Sequence, residues 1–399
     1  MVQPSKAGES LSVFDASSAL LSTIIGGGIV GVPYGMYLSG IPMGLIMNVI
    51  CWILCYVSVM LYMEAKSLSG VSTKTLYEFG YVSMGKGSIF FIAFLSTVQT
   101  VGFVMIYFIV FGDIAGSIVS QLFLRGGMNF WSSRIFWDII LGAVLFPVIL
   151  KKTLTEMKLA ADLHFVAVAL FLICMLIQRF TKEREYNPDP VYNYWSFHWK
   201  LEEITTFSIL LCSYNFSFIE FPLYHSLGPG RTPDKLLSAT SLALTFTIVI
   251  YVTTGLLGIY LFGSAINSNC LVNISDEGNN FFSMAVRIAF AFVVACHVPY
   301  VFFYGKEGCC IVWDEIANKS TSGQLAKLEN EAGEVDEEEP PAYFNMNQTV
   351  YYGITIFLFA LTILGANLVP NCAIIFDYMA ALSISGMQFF LPGLAYIRL

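Results

Sequence analysis

Ten mostly apolar stretches, cut apart by short charged or proline-bearing segments, run over about 16–38, 42–63, 88–122, 134–150, 158–180, 204–224, 236–262, 281–304, 349–367 and 372–395. A helix needs about 20 such residues to cross the hydrocarbon layer of a membrane. Lipid offers no hydrogen bonds, so a crossing segment must satisfy its own N–H and C=O groups, and a helix does this within one segment. The expected fold class is therefore all-α, a polytopic membrane protein of about ten transmembrane helices. Charged residues form 12% of the chain, against about 25% in soluble domains, which excludes an ordinary soluble enzyme. The third stretch makes more than about 50 Å of helix, so it is expected to tilt strongly or to project from the bilayer.

Orientation follows from the basic residues, which favour cytosolic loops. With the N-terminus inside, the cytosolic segments hold Lys6, Lys66, Lys74, Lys86, Lys151, Lys152, Lys158, Arg231, Lys235, Lys306, Lys319, Lys327 and Arg398. Outside fall Arg125, Arg134, Arg179, Lys182, Arg184 and Lys200, so both termini are expected in the cytosol. The net charge of −8 is concentrated in Glu329, Glu331, Glu334, Asp336, Glu337, Glu338 and Glu339. These acids lie in a segment, 314–345, expected to be a disordered cytosolic loop. The near-neutral remainder carries no footprint for nucleic acid. The first ten residues are polar, and the first apolar stretch is too long and glycine-rich for a cleaved signal peptide. Cysteine spacing implies no metal site, and no cofactor is expected. Cys270 and Cys372 fall near the outer surface as a candidate disulfide, and Asn273-Ile274-Ser275 is a possible N-glycan site in an outer loop.

Ten crossings divide, after a tail at 1–15, into five-helix repeats at 16–180 and 204–395 within one transporter-like domain. An odd number per repeat inserts the second upside down, the inverted-repeat plan of many secondary transporters. Matching positions support the division. The first crossing contains Gly26-Gly27-Gly28 and then Pro33; the sixth contains Ser213-Tyr214-Asn215-Phe216-Ser217 and then Pro222. In each case the proline follows the weak stretch by the same spacing. Glycine permits non-helical backbone, and proline favours the start of a resumed helix. Unwound backbone survives in a membrane only where it lines a polar cavity or is buried in protein. Freed N–H groups suit a carboxylate and freed carbonyls suit an ammonium group. Two facing breaks thus make a site for a zwitterion, the form of an α-amino acid.

Ionisable residues inside crossings are costly and usually functional. Asp162 and His164 stand in the fifth crossing, Arg287 and His297 in the eighth. His297, just before Pro299, titrates near neutral pH and is a candidate carrier of a coupled proton, with Asp162 as a second. Arg287 is expected near the outer end with its head at the interface. Glu220 follows the second break as a gate or an exposed acid.

The run Ser22-Thr23-Ile24-Ile25-Gly26-Gly27-Gly28-Ile29-Val30-Gly31-Val32-Pro33-Tyr34 resembles the first-crossing signature of the amino acid/auxin permease family. Within it the nearest likeness is to the sodium-coupled neutral amino acid transporters and their vacuolar relatives. The resemblance continues through Tyr107 to Asp113, Phe218 to Tyr224, Ile250 to Phe262, His297 to Glu307 and Phe390 to Tyr396. It implies a LeuT-type core with broken first and sixth helices, transporting small amino acids by alternating access. Carried over by position, its substrate site falls on Ser22, Gly26, Gly27, Gly28, Ser213, Tyr214 and Asn215, with Tyr107 across from them. The sodium-coupled branch usually has asparagine at Ser22 and threonine at His297. Hard cations want several oxygens, so a proton, or no ion, is expected in place of Na+. The family usually has eleven crossings, whereas ten are found here. An amino acid sensor without significant flux is the alternative reading, and both plasma and vacuolar or lysosomal membranes fit.

Overall fold

The computed structural model describes residues 11–71, 73–123, 127, 129–152, 158–181, 194–196, 202–275, 281–330 and 341–399; at 158–165, 181, 202, 275, 281–282 and 327–330 it describes the backbone alone. Helices α1 (Val13–Ile24) and α2 (Val32–Ser39) form an interrupted first crossing. It is followed by α3 (Ile41–Ser69), a short α4 (Leu76–Met84), α5 (Gly87–Phe123), α6 (Arg134–Ile149) and α7 (Lys158–Thr181). The second half repeats the plan. An interrupted pair, α8 (Glu202–Ser213) and α9 (Glu220–Ser226), precedes α10 (Pro233–Phe262), a short α11 (Cys270–Ser275), α12 (Phe281–Ala317), α13 (Ser320–Asn330), α14 (Gln348–Leu368) and α15 (Cys372–Arg398). Six of these, α3, α5, α10, α12, α14 and α15, are individually long and apolar enough to cross a membrane. No strand occurs among the described residues. The fold is the expected all-α arrangement of five plus five helices, with the first and sixth broken.

Local sequence sets the starts. Ser12 caps α1 in a reciprocal box: Asp15 N–H donates to Ser12 Oγ at 3.1 Å and Ser12 N–H to Asp15 Oδ2 at 3.2 Å, satisfying donors the first turn leaves open. Hydrogen bonds from the Ser12 side chain and backbone hold the exposed Asp15 carboxyl below its ordinary range. Thr232 caps α10, with Pro233 at its first position, where the missing N–H removes nothing. Asn347 and Asn371 cap α14 and α15 through Thr349 N–H at 3.0 Å and Ala373 N–H at 2.8 Å.

The longest helices, α5 and α12, have 37 residues each and lie against one another. Small residues let them approach. A Cβ added at Gly308 of α12 would sit 3.0 Å from the Ala93 backbone oxygen and 2.8 Å from Thr97 Oγ1 of α5. At the far end of the pair, Arg287 is fully buried, contrary to the expectation that its head reaches the interface. The polar end of α5 supplies its acceptors: Arg287 Nη2 donates to Gln121 Oε1 at 2.6 Å and Nη1 to Ser117 Oγ at 3.2 Å, while Nε donates to Ser283 O at 3.3 Å.

Four further expectations differ from the structure. The eighth crossing does not stop near residue 304, because the charges beyond it have partners. Lys306 Nζ donates to the Ile149 and Lys151 carbonyls at 2.9 and 2.8 Å, Tyr343 OH donates to Glu307 Oε1 at 3.1 Å, and Lys86 pairs with Glu315 at 2.7 Å. Within 314–345 the described residues are ordered, with α12 running to Ala317 and α13 over Ser320–Asn330. Asp314 accepts from Thr321 N–H at 3.0 Å to start α13, and Ala342–Asn345 forms a 3-10 turn; the acids at 331–339 lie outside the described residues. Cys270 and Cys372 are free thiols, each enclosed by the apolar core. Asn273 is only 7% exposed, and its Nδ2, the atom that would carry a glycan, donates to Ala265 O at 2.7 Å.

Packing at Gly308 gives a direct test. Gly308→Leu is predicted to destabilise the detergent-solubilised protein by at least about 1–3 kcal/mol. Gly353→Leu, on an exposed face of α14 with open space around it, should leave the unfolding midpoint unchanged. Equal midpoints for the two variants would contradict this packing.

Candidate functional site

The first crossing unwinds at the glycines. α1 ends at Ile24, Gly26 adopts φ −109°, ψ −148°, and Gly27–Val30 forms one 3-10 turn before α2. The opening N–H groups of such a turn have no acceptor within it. The sixth crossing unwinds after Ser213 and resumes at Glu220. Between them Asn215 Oδ1 accepts from Ser217 Oγ at 3.0 Å and Ser217 N–H at 3.4 Å, an Asx turn that replaces helical bonds.

The breaks lie against each other. A Cβ at Gly28 would fall 2.7 Å from Ser213 Cβ and 2.9 Å from Ser213 Cα, so this contact admits only glycine. A single tyrosine on α10 ties them. The fully buried Tyr251 hydroxyl lies 3.0 Å from Ile24 O and 2.9 Å from Ser213 O, the carbonyls ending the two interrupted helices. Its ring packs edge-on to Tyr214 at 5.1 Å. Tyr214 in turn reaches Asn48 Oδ1 on α3 at 3.2 Å.

On the open side of the first break is a small cavity lined by Gly26, Gly27, Tyr107, Phe290, Val293, Val294 and His297. Its volume suits about one water molecule, so a substrate must part its walls to enter. Tyr107 on α5 stands over the glycines with its hydroxyl within hydrogen-bonding reach of the Gly27 backbone. A Cβ at Gly27 would lie 2.7 Å from Tyr107 Cε1. The facing wall is one stripe of α12, and the His297 ring lies 6.2 Å from that of Tyr107. A carbonyl can only accept, so His297 Nδ1 donates to Val293 O at 3.0 Å. The site thus offers backbone N–H groups, a phenol and an imidazole, enclosed by apolar side chains. Among the described residues, no carboxylate, lysine or arginine lines it.

Of the residues expected at the site, Gly26, Gly27, Tyr107 and His297 meet around this cavity. Gly28 and Ser213 form the contact behind it. Tyr214 points away into α3, Asn215 is buried in its own turn, and Ser22 Oγ donates to Ala19 O at 2.9 Å within α1. The side chains of Asp162 and His164 lie outside the described residues. Phe290, Val293 and Val294 were not foreseen, yet with His297 they recur at helical spacing, a signal visible in the sequence. Tyr251 lies within the run Ile250 to Phe262, where a tyrosine among apolar residues carries no signal of its own.

Over residues 9–399 the chain matches the family described as transmembrane amino acid transporter protein. Amino acid transporter AVT6E of Arabidopsis thaliana is 22% identical, over 100% of this chain and 78% of that protein. Vacuolar amino acid transporter 5 of Saccharomyces cerevisiae is 22% identical, over 92% of this chain and 81% of that protein. Among solved structures, the inward-facing conformation of Mhp1 aligns over 97% of this chain and 92% of that chain with TM-score 0.52 and 13% identity, a likeness of LeuT-type fold.

Removing the Tyr251 hydroxyl tests how the breaks are held. Tyr251→Phe leaves two buried carbonyls without this donor and is predicted to lower unfolding stability by about 1–3 kcal/mol and to weaken substrate binding. Wild-type stability and binding in that variant would mean that the two carbonyls are satisfied in some other way.

Proposed function

This chain belongs to the transmembrane amino acid transporter family, and we propose that it is a secondary active transporter of small neutral L-amino acids, coupled to protons or to no ion. The observation that carries this reading is the cavity where the unwound Gly26-Gly27 backbone faces Tyr107 across an apolar enclosure. In it the substrate carboxylate is received by the N–H groups opening the 3-10 turn and by the Tyr107 hydroxyl. The ammonium group is received by carbonyls of the same unwound segments. Phe290, Val293 and Val294 enclose a short side chain, and the absence of a charged residue from the lining disfavours acidic and basic substrates.

Alternating access follows from where the chain can bend. The segments 25–31 and 214–219 lack continuous helical bonding, so α1, α2, α8 and α9 can rotate about them while α5 and α12 hold the opposite wall. Parting the α12 stripe from the glycines opens the cavity to one side, and the inverted arrangement of the second repeat supplies the equivalent movement toward the other. Replacement of an oxygen donor by the His297 imidazole weakens the case for sodium. His297 and Asp162 are the groups proposed from sequence to take a coupled proton. The vacuolar relative favours an organelle membrane over the plasma membrane, with both termini in the cytosol.

Uptake of labelled amino acids by purified protein in liposomes tests this reading under an inward proton gradient, a sodium gradient, or neither. Neutral amino acids should enter in preference to charged ones, with accumulation driven by protons or simple exchange without a gradient. Strict dependence on sodium would overturn the coupling assignment. Tight binding with no flux under any condition would overturn transport in favour of a sensor.

A further inference from the structure

Glu220 is the first residue of α9, directly after the second break, and it is 1% exposed. Among the described residues, neither of its carboxyl oxygens has a hydrogen-bond partner. It is not among the residues lining the substrate cavity and is buried at the start of α9, a helix that packs on α10 and, through Phe221, on Tyr62 of α3 and Phe79 of α4. The titratable groups of α3 near enough to feel its charge are the Cys55 thiol and the Tyr62 phenol. Both are engaged elsewhere: Tyr62 OH donates to Met387 O, and Cys55 Sγ accepts from Gln388 Nε2 at 2.9 Å. Lys66, one turn further along α3, lies 5.5 Å above the Phe221 ring and spends its ammonium on Thr73, with Oγ1 at 2.9 Å. On α9 itself, His225 Nε2 is 2.8 Å from Thr73 O. From α15 comes Gln388, fully buried, whose Oε1 also lacks a partner. Across the break, Asn215 Nδ2 is a third buried polar atom without one.

A carboxylate cannot remain ionised in such a place. With no hydrogen bond or ion pair to it among the described residues, a charge in a low-dielectric interior is costlier than taking up a proton, and the group neutralises. The mobile element makes this more than a static feature. Glu220 is joined to α8 only through the non-helical residues 214–219, so any rotation of α9 about the break carries its carboxyl out of its buried position. Once in contact with water, the acid ionises. Resting on the transport reading above, we propose that Glu220 is the proton-binding site that couples the proton gradient to substrate movement: it is protonated while α9 is packed and gives up its proton when α9 swings open. Proton and substrate then share one hinge without sharing a cavity. The ionised carboxyl resists reinsertion, so α9 returns to the packed state with a proton aboard.

The test compares wild type, Glu220→Gln and Glu220→Asp in proteoliposomes. Accumulation is read under an inward proton gradient, and exchange of labelled for unlabelled amino acid is read at equal pH on both sides. One coupled proton across one pH unit supports about tenfold accumulation. The amide keeps the shape of the acid and cannot titrate, so Glu220→Gln should exchange at a rate near wild type and accumulate nothing above the ungraded level. Glu220→Asp should retain accumulation and carries the test if the amide variant fails to fold. Wild-type accumulation in folded Glu220→Gln, or its loss in folded and exchanging Glu220→Asp, would overturn the assignment while leaving transport intact. A wild-type protein that exchanges yet accumulates under no proton gradient would overturn coupling itself, and one that moves no amino acid would overturn the transport reading first.

Discussion

Two helices that stop halfway through a membrane leave carbonyl groups that lipid cannot satisfy, and the rest of this structure is arranged around that fact. The Tyr251 hydroxyl sits against Ile24 O and Ser213 O at once, so the breaks are held by a group that touches both. The close fit of Gly28 against Ser213 sets how near the two crossings lie. Beside this contact the Gly27 backbone lies within hydrogen-bonding reach of the Tyr107 hydroxyl at the edge of the cavity. The backbone that would be a liability in a soluble helix is, on the proposed reading, the recognition surface.

A division of labour follows. α5 and α12, long and closely packed, form a wall whose ends are fastened by Arg287 on one side and by Lys306 and Glu315 on the other. The interrupted crossings carry the non-helical residues 25–31 and 214–219. On the proposed reading, substrate is received at the first break, against Tyr107 and the α12 stripe, while Glu220 opens the helix after the second, so one rotation about the breaks would change access to both places.

Fold class and the position of each break were legible because they depend on short-range features: apolar runs of membrane length, three adjacent glycines, and a proline at matched spacing. Tyr107 came from the family resemblance, since a tyrosine in an apolar run carries no signal of its own. What escaped depends on partners distant in sequence. Arg287 reads as an interfacial arginine until Ser117 and Gln121 are seen beside it. The true length of α12 was hidden because Lys306, Glu307 and Glu315 look like the end of a crossing, whereas each is neutralised or bonded by another segment. Tyr214 and Asn215 sit in the right motif, yet the turn aims them away from the cavity. Glu220 reads in sequence as a gate or an exposed acid, and only its burial in the fold excludes the exposed acid.

The central claim is that substrate binds at the first break rather than elsewhere in the bundle. An experimental structure of the protein with a bound neutral amino acid tests it most directly. The account predicts the carboxylate within hydrogen-bonding distance of backbone N–H groups in Gly26–Gly28 and the Tyr107 hydroxyl, with the side chain against Phe290, Val293 and Val294. An amino acid found instead between α6 and α12, against Pro299, Phe302 and Lys306, with the glycine break unoccupied, would contradict it.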